Sequence, residues 1–377
     1  MPEDNWVLTR FLHGNEPIII ALGIARCLSG DIILPVPEAR KGFVAEIAAG
    51  KGIDSKRVYM DSVAAGIASR YGVIWAGGMK YEQWVASNEK SYDDVRRELR
   101  RHYQVFSAAN LEGEVKTFIG PAKITINAGD IYDGFGAPVV YAFPHRLSEI
   151  LGRNAKFRNS NFVHELRRSE RARAVNFIPK IHTLSHDRSY SPLERELFTP
   201  HVKEAPVMSD IELPEDSIAM VFSGTGKKID ALRQVAECTS RRVVTGMFSP
   251  VDENNKYVKI TPPSGEFVHV YAKPQIRAVV AQPGFGTLWS AWNAGKPVIF
   301  PAFEEGDDEE FIHNKLTITN LNLGLEIERP DQIDGLVERS QSCVPAIKAL
   351  NAELVAEFGT LDGPAYIAGK MKELSLY

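Results

Sequence analysis

Residues 277–324, RAVVAQPGFGTLWSAWNAGKPVIFPAFEEGDDEEFIHNKLTITNLNLG, decide how this chain folds. An apolar run at 278–282 meets a glycine turn, Gly284-Phe285-Gly286-Thr287, and a helical pattern follows at 288–293. Gly295 ends that helix, a second apolar run at 297–300 makes another strand, and an acidic loop leads into a further helix. A strand that breaks at glycines and opens a helix leaves backbone N–H groups without intrahelical acceptors. They lie at the end of the helix where the dipole favours negative charge, so phosphate is the ligand class such a turn suits.

The same alternation runs outward in both directions. Strands are expected at 6–12, 31–34, 57–60, 124–127 and 139–143, with helices between them at 17–28 and 92–102. A second set of strands is expected at 218–222, 242–245, 267–270, 278–281 and 298–300. Strands alternating with helices indicate α/β layering around parallel sheets. At 377 residues the chain is long enough for two domains. The region 199–215 is rich in proline and charge, lacks periodicity and is the best linker. The tail from Gly363 reads as a final short helix.

Bulk properties exclude several classes. A net charge of −4 argues against nucleic-acid binding by bulk electrostatics. Cys27, Cys238 and Cys343 are far apart and lack zinc spacing, which fits buried thiols in a reducing compartment. The start, MPEDN, has no signal-peptide character, and the apolar run at 17–25 is short of the ~20 residues a membrane helix needs. A cytoplasmic protein is expected. The basic stretch from Arg153 to Arg173 is read first as a solvated helix face, diluted by Glu165 and Glu170, with an anionic acceptor surface as the sharper alternative.

A second glycine turn follows the run at 218–222: Ser223-Gly224-Thr225-Gly226, with a helix starting near Lys227. The glycines allow close backbone approach to a ligand, and the two hydroxyls add donors. The spacing is neither the Walker GxxxxGK[ST] nor the dinucleotide GxGxxG. Taken alone, it is as compatible with a structural turn as with phosphate binding. The acidic run 304–310 suits a solvated helix start better than a metal site, because it lacks the spaced ligands of a calcium loop, and no metal is expected.

These elements together resemble the donor half of the UDP-sugar glycosyltransferases of the GT-B fold. Tyr271-Ala272-Lys273-Pro274-Gln275 is similar to the family's aromatic-A-P-Q, with one extra residue. Gln282-Pro283-Gly284-Phe285-Gly286-Thr287 matches the glycine turn, Ala294-Gly295-Lys296-Pro297 the A-G-x-P, and Glu310 to Asn314 the DQxxN position. The departures are Gln282 where the family has a phosphate-contacting histidine, Ser290 where it has a ribose-binding glutamate, and Phe311 where it has a sugar-contacting glutamine. His313, beside Asn314, is a further phosphate or sugar contact.

The resemblance also implies where the chemistry would lie. His13, in the loop before Pro17, stands near the place of the family's catalytic histidine, and its neutral imidazole at cytoplasmic pH suits a general base. Asp130, past the strand at 124–127, is the carboxylate expected to orient it, and Glu16 is the reserve base. The expected fold is therefore two Rossmann-like doubly wound α/β domains facing across a cleft. An acceptor domain at 1–204 and a linker at 205–214 precede a donor domain at 215–360, and a helix at 361–377 crosses back. The expected activity is inverting transfer of a sugar from a nucleotide diphosphate sugar, UDP foremost, to a small acceptor hydroxyl. The nucleotide-binding set is Ser223, Gly224, Thr225, Gly226, Tyr271, Gln275, Gln282, Gly284, Phe285, Gly286, Thr287, Ser290, Glu310 and Asn314. No cofactor beyond the donor, no nucleic acid and no membrane span is expected, and a homo-oligomer is compatible with the sequence. Two rivals stay open: an epimerase or hydrolase on the same scaffold, and a non-catalytic partner subunit.

Overall fold

The computed structural model describes residues 6–10, 16–73, 81–127, 135–142, 146–207, 210–222, 229–246, 249, 254, 256–260, 266–302 and 309–377. The chain forms two compact units, one of Met1–Pro179, Ser191–Thr199 and Pro364–Tyr377, the other of Lys180–Tyr190 and Pro200–Gly363. It therefore passes between them four times, where a single linker and a returning tail require two passes.

The first unit is built on nine strands: β1 (Trp6–Arg10), β2 (Asp31–Leu34), β3 (Val58–Met60), β4 (Val105–Asn110), β5 (Val115–Ile119), β6 (Ile124–Asn127), β7 (Val139–Ala142), β8 (Val175–Pro179) and β9 (Glu196–Thr199). Their order is β5-β4-β3-β2-β1-β6-β7-β8-β9, parallel throughout except where β4 pairs with β3 and β5. The order reverses at β1, whose neighbours are β2 and β6, as in a doubly wound sheet. The Glu16–Ala25 helix that follows β1 is apolar on every side and buried from Pro17 to Ala25, as a helix enclosed by its own domain must be. Trp6 packs at 5.5 Å from both Phe106 and Phe118, so the β4–β5 hairpin closes the core at that edge.

Four sequence expectations change here. Residues 103–118, where no strand was expected, hold β4 and most of β5. The helix expected at 92–102 spans Tyr81–His102, 22 residues. Strands β8 and β9 were not anticipated. In the basic stretch, Arg168 and Arg171 are exposed on the Asn161–Ala172 helix, but Glu170 and Arg173 are buried. Arg173 lies 3.9 Å from the centre of the Tyr141 ring, and Glu170 accepts from the Ser148 N–H at 3.0 Å and from its hydroxyl. Burial pushes the Glu170 carboxyl upward against the pull of Arg173. A buried pair of this kind is retained by its hydrogen bonds, because isolated charges are not tolerated there.

The second unit is a six-stranded, wholly parallel sheet: β10 (Ser217–Val221), β11 (Val243–Gly246), β12 (Tyr257–Ile260), β13 (Ile276–Ala281), β14 (Val298–Pro301) and β15 (Gly324–Ile327), in the order β12-β11-β10-β13-β14-β15. Its central strands are near-continuous apolar runs because both faces are covered. Val279 and Val280 on β13 and Val298 and Ile299 on β14 are fully buried. Gly324 is required at the start of β15, since a Cβ there would lie 2.2 Å from the Val298 carbonyl. The apolar run at 267–270, read as a strand, is instead the Val268–Tyr271 helix. A short run buried on all sides carries no periodicity to separate the two states. Strands β12 and β15 were likewise missed.

Candidate functional site

The order of the second sheet reverses between β10 and β13, and ligands of open parallel sheets bind beyond the carboxyl ends at such a reversal. Val221 of β10 pairs with Ala281 of β13, so the Ser223–Gly226 and Gln282–Thr287 turns leave neighbouring strand ends. The first of these turns lies outside the described residues.

The second is built as the sequence suggested. Gly284 is the N-cap of the Phe285–Asn293 helix in extended backbone, with no side chain capping it, and its carbonyl accepts from the N–H groups of Thr287 and Leu288 at 3.1 Å. The N–H groups of Phe285 and Gly286, at the first two helical positions, have no intrahelical acceptor. Gly284, Gly286 and Thr287 are half-buried, while Phe285, Leu288, Trp289 and Trp292 anchor the helix in the interior. Each such buried side chain contributes about 1.5–3 kcal/mol, so the helix that follows the turn is held firmly. At the far end Gly295 takes φ +72°, with Gly295 N–H bonded to the Trp292 carbonyl and Lys296 N–H to that of Ala291, a Schellman stop.

The Glu309–Asn320 helix forms the wall beside this turn. Asn314 is fully buried and donates from Nδ2 to the Pro283 carbonyl at 2.6 Å, leaving its own Oδ1 buried without a protein partner. The Phe311 ring comes within 3.7 Å of where a Cβ on Gly284 would sit. Glu310, in the first turn of this helix, is half-buried. The structure thus gathers Gln282, Gly284, Phe285, Gly286, Thr287, Asn314 and the first turn of the Glu309–Asn320 helix at one sheet edge.

Three expected contacts are not delivered there. Gln275 precedes β13, at the amino end of a six-residue strand about 20 Å long. It bonds Glu215 at 3.2 Å on the opposite edge of the sheet from the glycine turn. Tyr271 is only 1% exposed, tilted against Phe267 at 5.6 Å, and presents no open ring face. Ser290 turns its hydroxyl back to the Gly286 carbonyl at 2.8 Å, which occupies its donor. The extra residue in the Tyr271–Gln275 match marks the misalignment: strand β13 starts immediately after Gln275, so that pentapeptide feeds the wrong end of the sheet.

Sequence spacing also missed a segment. Lys180–Tyr190, assigned to the first domain, folds with the second unit. Its Ile181 carbonyl accepts from Trp289 Nε1 at 3.2 Å, and its Thr183 carbonyl accepts from the Thr317 hydroxyl at 3.0 Å. His186 then reaches His313, with Nε2 to Nδ1 at 3.1 Å and the rings stacked at 18°. His201 stacks on Trp289, lies tilted against Trp292 and bonds Asn293 Oδ1 at 2.9 Å. Burial lowers its pKa to about 4. Two charges of the region read as a linker, Lys203 and Glu204, are likewise buried. His269 bonds Glu204 at 3.3 Å and accepts from the Val207 N–H at 3.0 Å.

In the first unit Glu16 opens the helix after β1, whereas His13 and Asp130 lie outside the described residues. Their strands are neighbours in register, with Arg10 opposite Asn127. A histidine–carboxylate pair unseen in the sequence joins His102 Nε2 to Asp61 at 2.7 Å, where Asp61 also caps the Ser62–Arg70 helix through the Ala64 N–H. Among the described residues there is no cluster that would hold a metal ion, and no helix long and apolar enough to cross a membrane.

No family model matches the sequence, and no curated relative matches at a significant level. Solved structures do match over nearly the whole chain. CalG4, the calicheamicin glycosyltransferase, is 15% identical with a TM-score of 0.60, covering 99% of this chain and 98% of that one. Phytolacca americana UGT2, complexed with UDP-2-fluoro-glucose and pterostilbene, is 12% identical at 0.61, covering 99% of each. The spinosyn rhamnosyltransferase SpnG, complexed with thymidine diphosphate, is 12% identical at 0.58, covering 98% of this chain and 100% of that one. The chain has the GT-B fold of these glycosyltransferases, with two Rossmann-like domains, as the sequence resemblance implied.

Proposed function

We propose that this chain is a glycosyltransferase that moves a sugar from a nucleotide diphosphate sugar to a small acceptor hydroxyl. The observation that carries the reading is the glycine turn at 284–287, with open helical N–H groups at the reversal of a parallel sheet and the buried Asn314 holding the turn from the adjoining helix. Its support in similar folds is that UGT2 holds a UDP-sugar analogue and SpnG a thymidine diphosphate. The N–H groups of Phe285 and Gly286, with the Thr287 hydroxyl, would receive the diphosphate and stabilise it as it leaves. Ser223, Thr225 and the glycines between and after them would meet it from the neighbouring strand end. Glu310 would accept from sugar hydroxyls. UDP is the first nucleotide to test, and no cofactor or metal is invoked.

The acceptor would be activated by His13, oriented by Asp130, with Glu16 in reserve. What supports this pair is the adjacency of β1 and β6 at the reversal of the first sheet, so that both loops leave neighbouring strand ends. Direct attack by the activated hydroxyl would invert the anomeric carbon. The internal bond of Ser290 and the neutral Gln282 favour one rival, a partner subunit that binds nucleotide without turnover. The deciding experiment is a thermal-shift screen with UDP, dTDP, GDP, ADP and NAD, followed by incubation of the matching nucleotide sugar with a panel of hydroxyl acceptors. Stabilisation by a nucleoside diphosphate and formation of a glycoside are expected. Binding without glycoside formation would favour the partner reading, free sugar alone a hydrolase, and no binding would overturn the proposal.

A further inference from the structure

We propose that this chain pairs with a second copy of itself through β5, in an antiparallel two-fold register centred on Thr117. The β4–β5 hairpin ends the first sheet, so one side of β5 is an open edge. The outward face of β5 carries Val115, Thr117 and Ile119, opposite Ala109, Ser107 and Val105 of β4. Val115 and Ile119, 71% and 69% exposed, are the two most exposed large apolar side chains among the described residues, and Val105 is 60% exposed. Edge strands are normally blunted by a charge, a proline or a bulge. This one is not: its register with β4 runs unbroken, and its one charged residue, Lys116, lies on the other face and bonds Asp31 at 2.8 Å.

The phase of the hydrogen bonds decides what the edge offers. The Asn110 N–H donates to the Glu114 carbonyl at 2.8 Å, and the Gly120 N–H to the Gln104 carbonyl at 3.1 Å. Opposed residues of antiparallel strands alternate between bonded and non-bonded pairs, so Lys116 and Phe118 turn their backbone groups toward β4. Val115, Thr117 and Ile119 turn theirs toward the open side. Among the described residues, none of these three N–H and three C=O groups has a partner.

That set of groups is complementary to itself. With Thr117 opposite Thr117 of the second copy, Val115 meets Ile119 and Ile119 meets Val115, the reciprocity an isologous interface requires. Every such pair is of the bonded type and exchanges two N–H···O=C bonds, so all six groups on each strand are satisfied. A slip of one residue sets open groups against occupied ones, and a slip of two leaves one end of the strand without a strand partner. The side chains agree with the backbone, since apolar Val–Ile pairs flank a Thr–Thr pair and no like charges are opposed. The apolar rows continue onto β4, where Val105 lies opposite Ile119 and Ala109 opposite Val115. An unrelated strand could use the same backbone groups. The apolar–hydroxyl–apolar symmetry about Thr117 is what selects a second copy.

Analytical ultracentrifugation of the full chain over a roughly hundredfold range of concentration tests this, with a concentration-dependent rise to twice the mass of one chain expected. Val115→Lys combined with Ile119→Lys sets lysine opposite lysine in this register and should weaken association roughly tenfold or more. Val115→Lys combined with Ile119→Glu is as polar but sets lysine opposite glutamate, and should associate roughly tenfold more tightly than the double-lysine chain. Thr117→Pro deletes the donor at the axis without removing a bond to β4, and should also dissociate the pair. A wild type that stays monomeric throughout, whether or not it captures a foreign strand, overturns the proposal. So does a dimer that survives the two lysines or the proline, because it then uses another surface. Equal dissociation of the lysine–lysine and lysine–glutamate chains overturns the two-fold register. The wild-type concentration series can refute the pairing even if a variant fails to fold.

Discussion

Acid should weaken the second unit through a single buried ring. His201 is fully buried between two indoles, with Nδ1 bonded to Asn293 and Nε2 without a partner. Asn293 gives its amide hydrogens to the carbonyls of Glu204 and Leu361, both at 3.3 Å, so its oxygen is fixed as an acceptor and the His201 proton stays on Nδ1. A proton on Nε2 would be a charge without solvation, and burial lowers the pKa from 6.5 to about 4. The sign follows from which state binds the proton: the unfolded ring charges below 6.5 and the folded ring does not until about 4. Stability is therefore complete above pH 6.5 and falls across the interval, by about 3 kcal/mol in all at 1.36 kcal/mol per pKa unit. At pH 4.5 about 2.5 kcal/mol of that is gone. His201→Phe keeps the stacking and removes the titration, at a fixed cost of about 1–3 kcal/mol for the unpaired Asn293 oxygen. Urea unfolding at pH 7.5 and 4.5, followed by tryptophan fluorescence, reads the unit directly because Trp289 and Trp292 contact the ring. The stability gap between wild type and variant should narrow by about 2.5 kcal/mol on acidification. Parallel pH profiles would show that His201 is not the buried neutral ring described.

Asn314→Asp replaces the donor to the Pro283 carbonyl with a carboxylate oxygen at 2.6 Å, so it should cost at least about 1–3 kcal/mol and weaken UDP binding; an unchanged melting curve would dismiss the anchor. Gly324→Ala places a Cβ 2.2 Å from the Val298 carbonyl, which must separate β14 from β15. A loss of about 1–3 kcal/mol in chemical denaturation is expected, and wild-type stability would contradict the register.

Much of the second unit could be read from residues 277–324, because the signals there are local. A glycine turn between an apolar run and a helix, with Gly295 at the stop, encodes its own hydrogen bonds. The Ala278–Gln282 reading missed the strand's true start by only two residues. The errors arose where local signals are mute. The Val268–Tyr271 helix is buried on every side, so its four apolar residues show no period. Tyr271 and Gln275 matched a motif by composition but precede a strand whose other end carries the site. The segment 103–118, where no strand was expected, holds most of a hairpin whose Val105, Val115 and Ile119 point outward while Phe106 and Phe118 fill the core.

The sequence by itself determined the class of fold and the position of the glycine turn, since both follow from periodicity and from backbone groups within a few residues of one another. Only the tertiary structure decided which side chains distant in the chain meet. His186 and His313 are 127 residues apart, and His201 and Asn293 are 92 apart. Such pairings depend on the register of the sheet and on the segments Lys180–Tyr190 and Pro200–Gly363 folding as one unit. No spacing rule carries that information, because chain length between two residues places no bound on how closely a fold brings them.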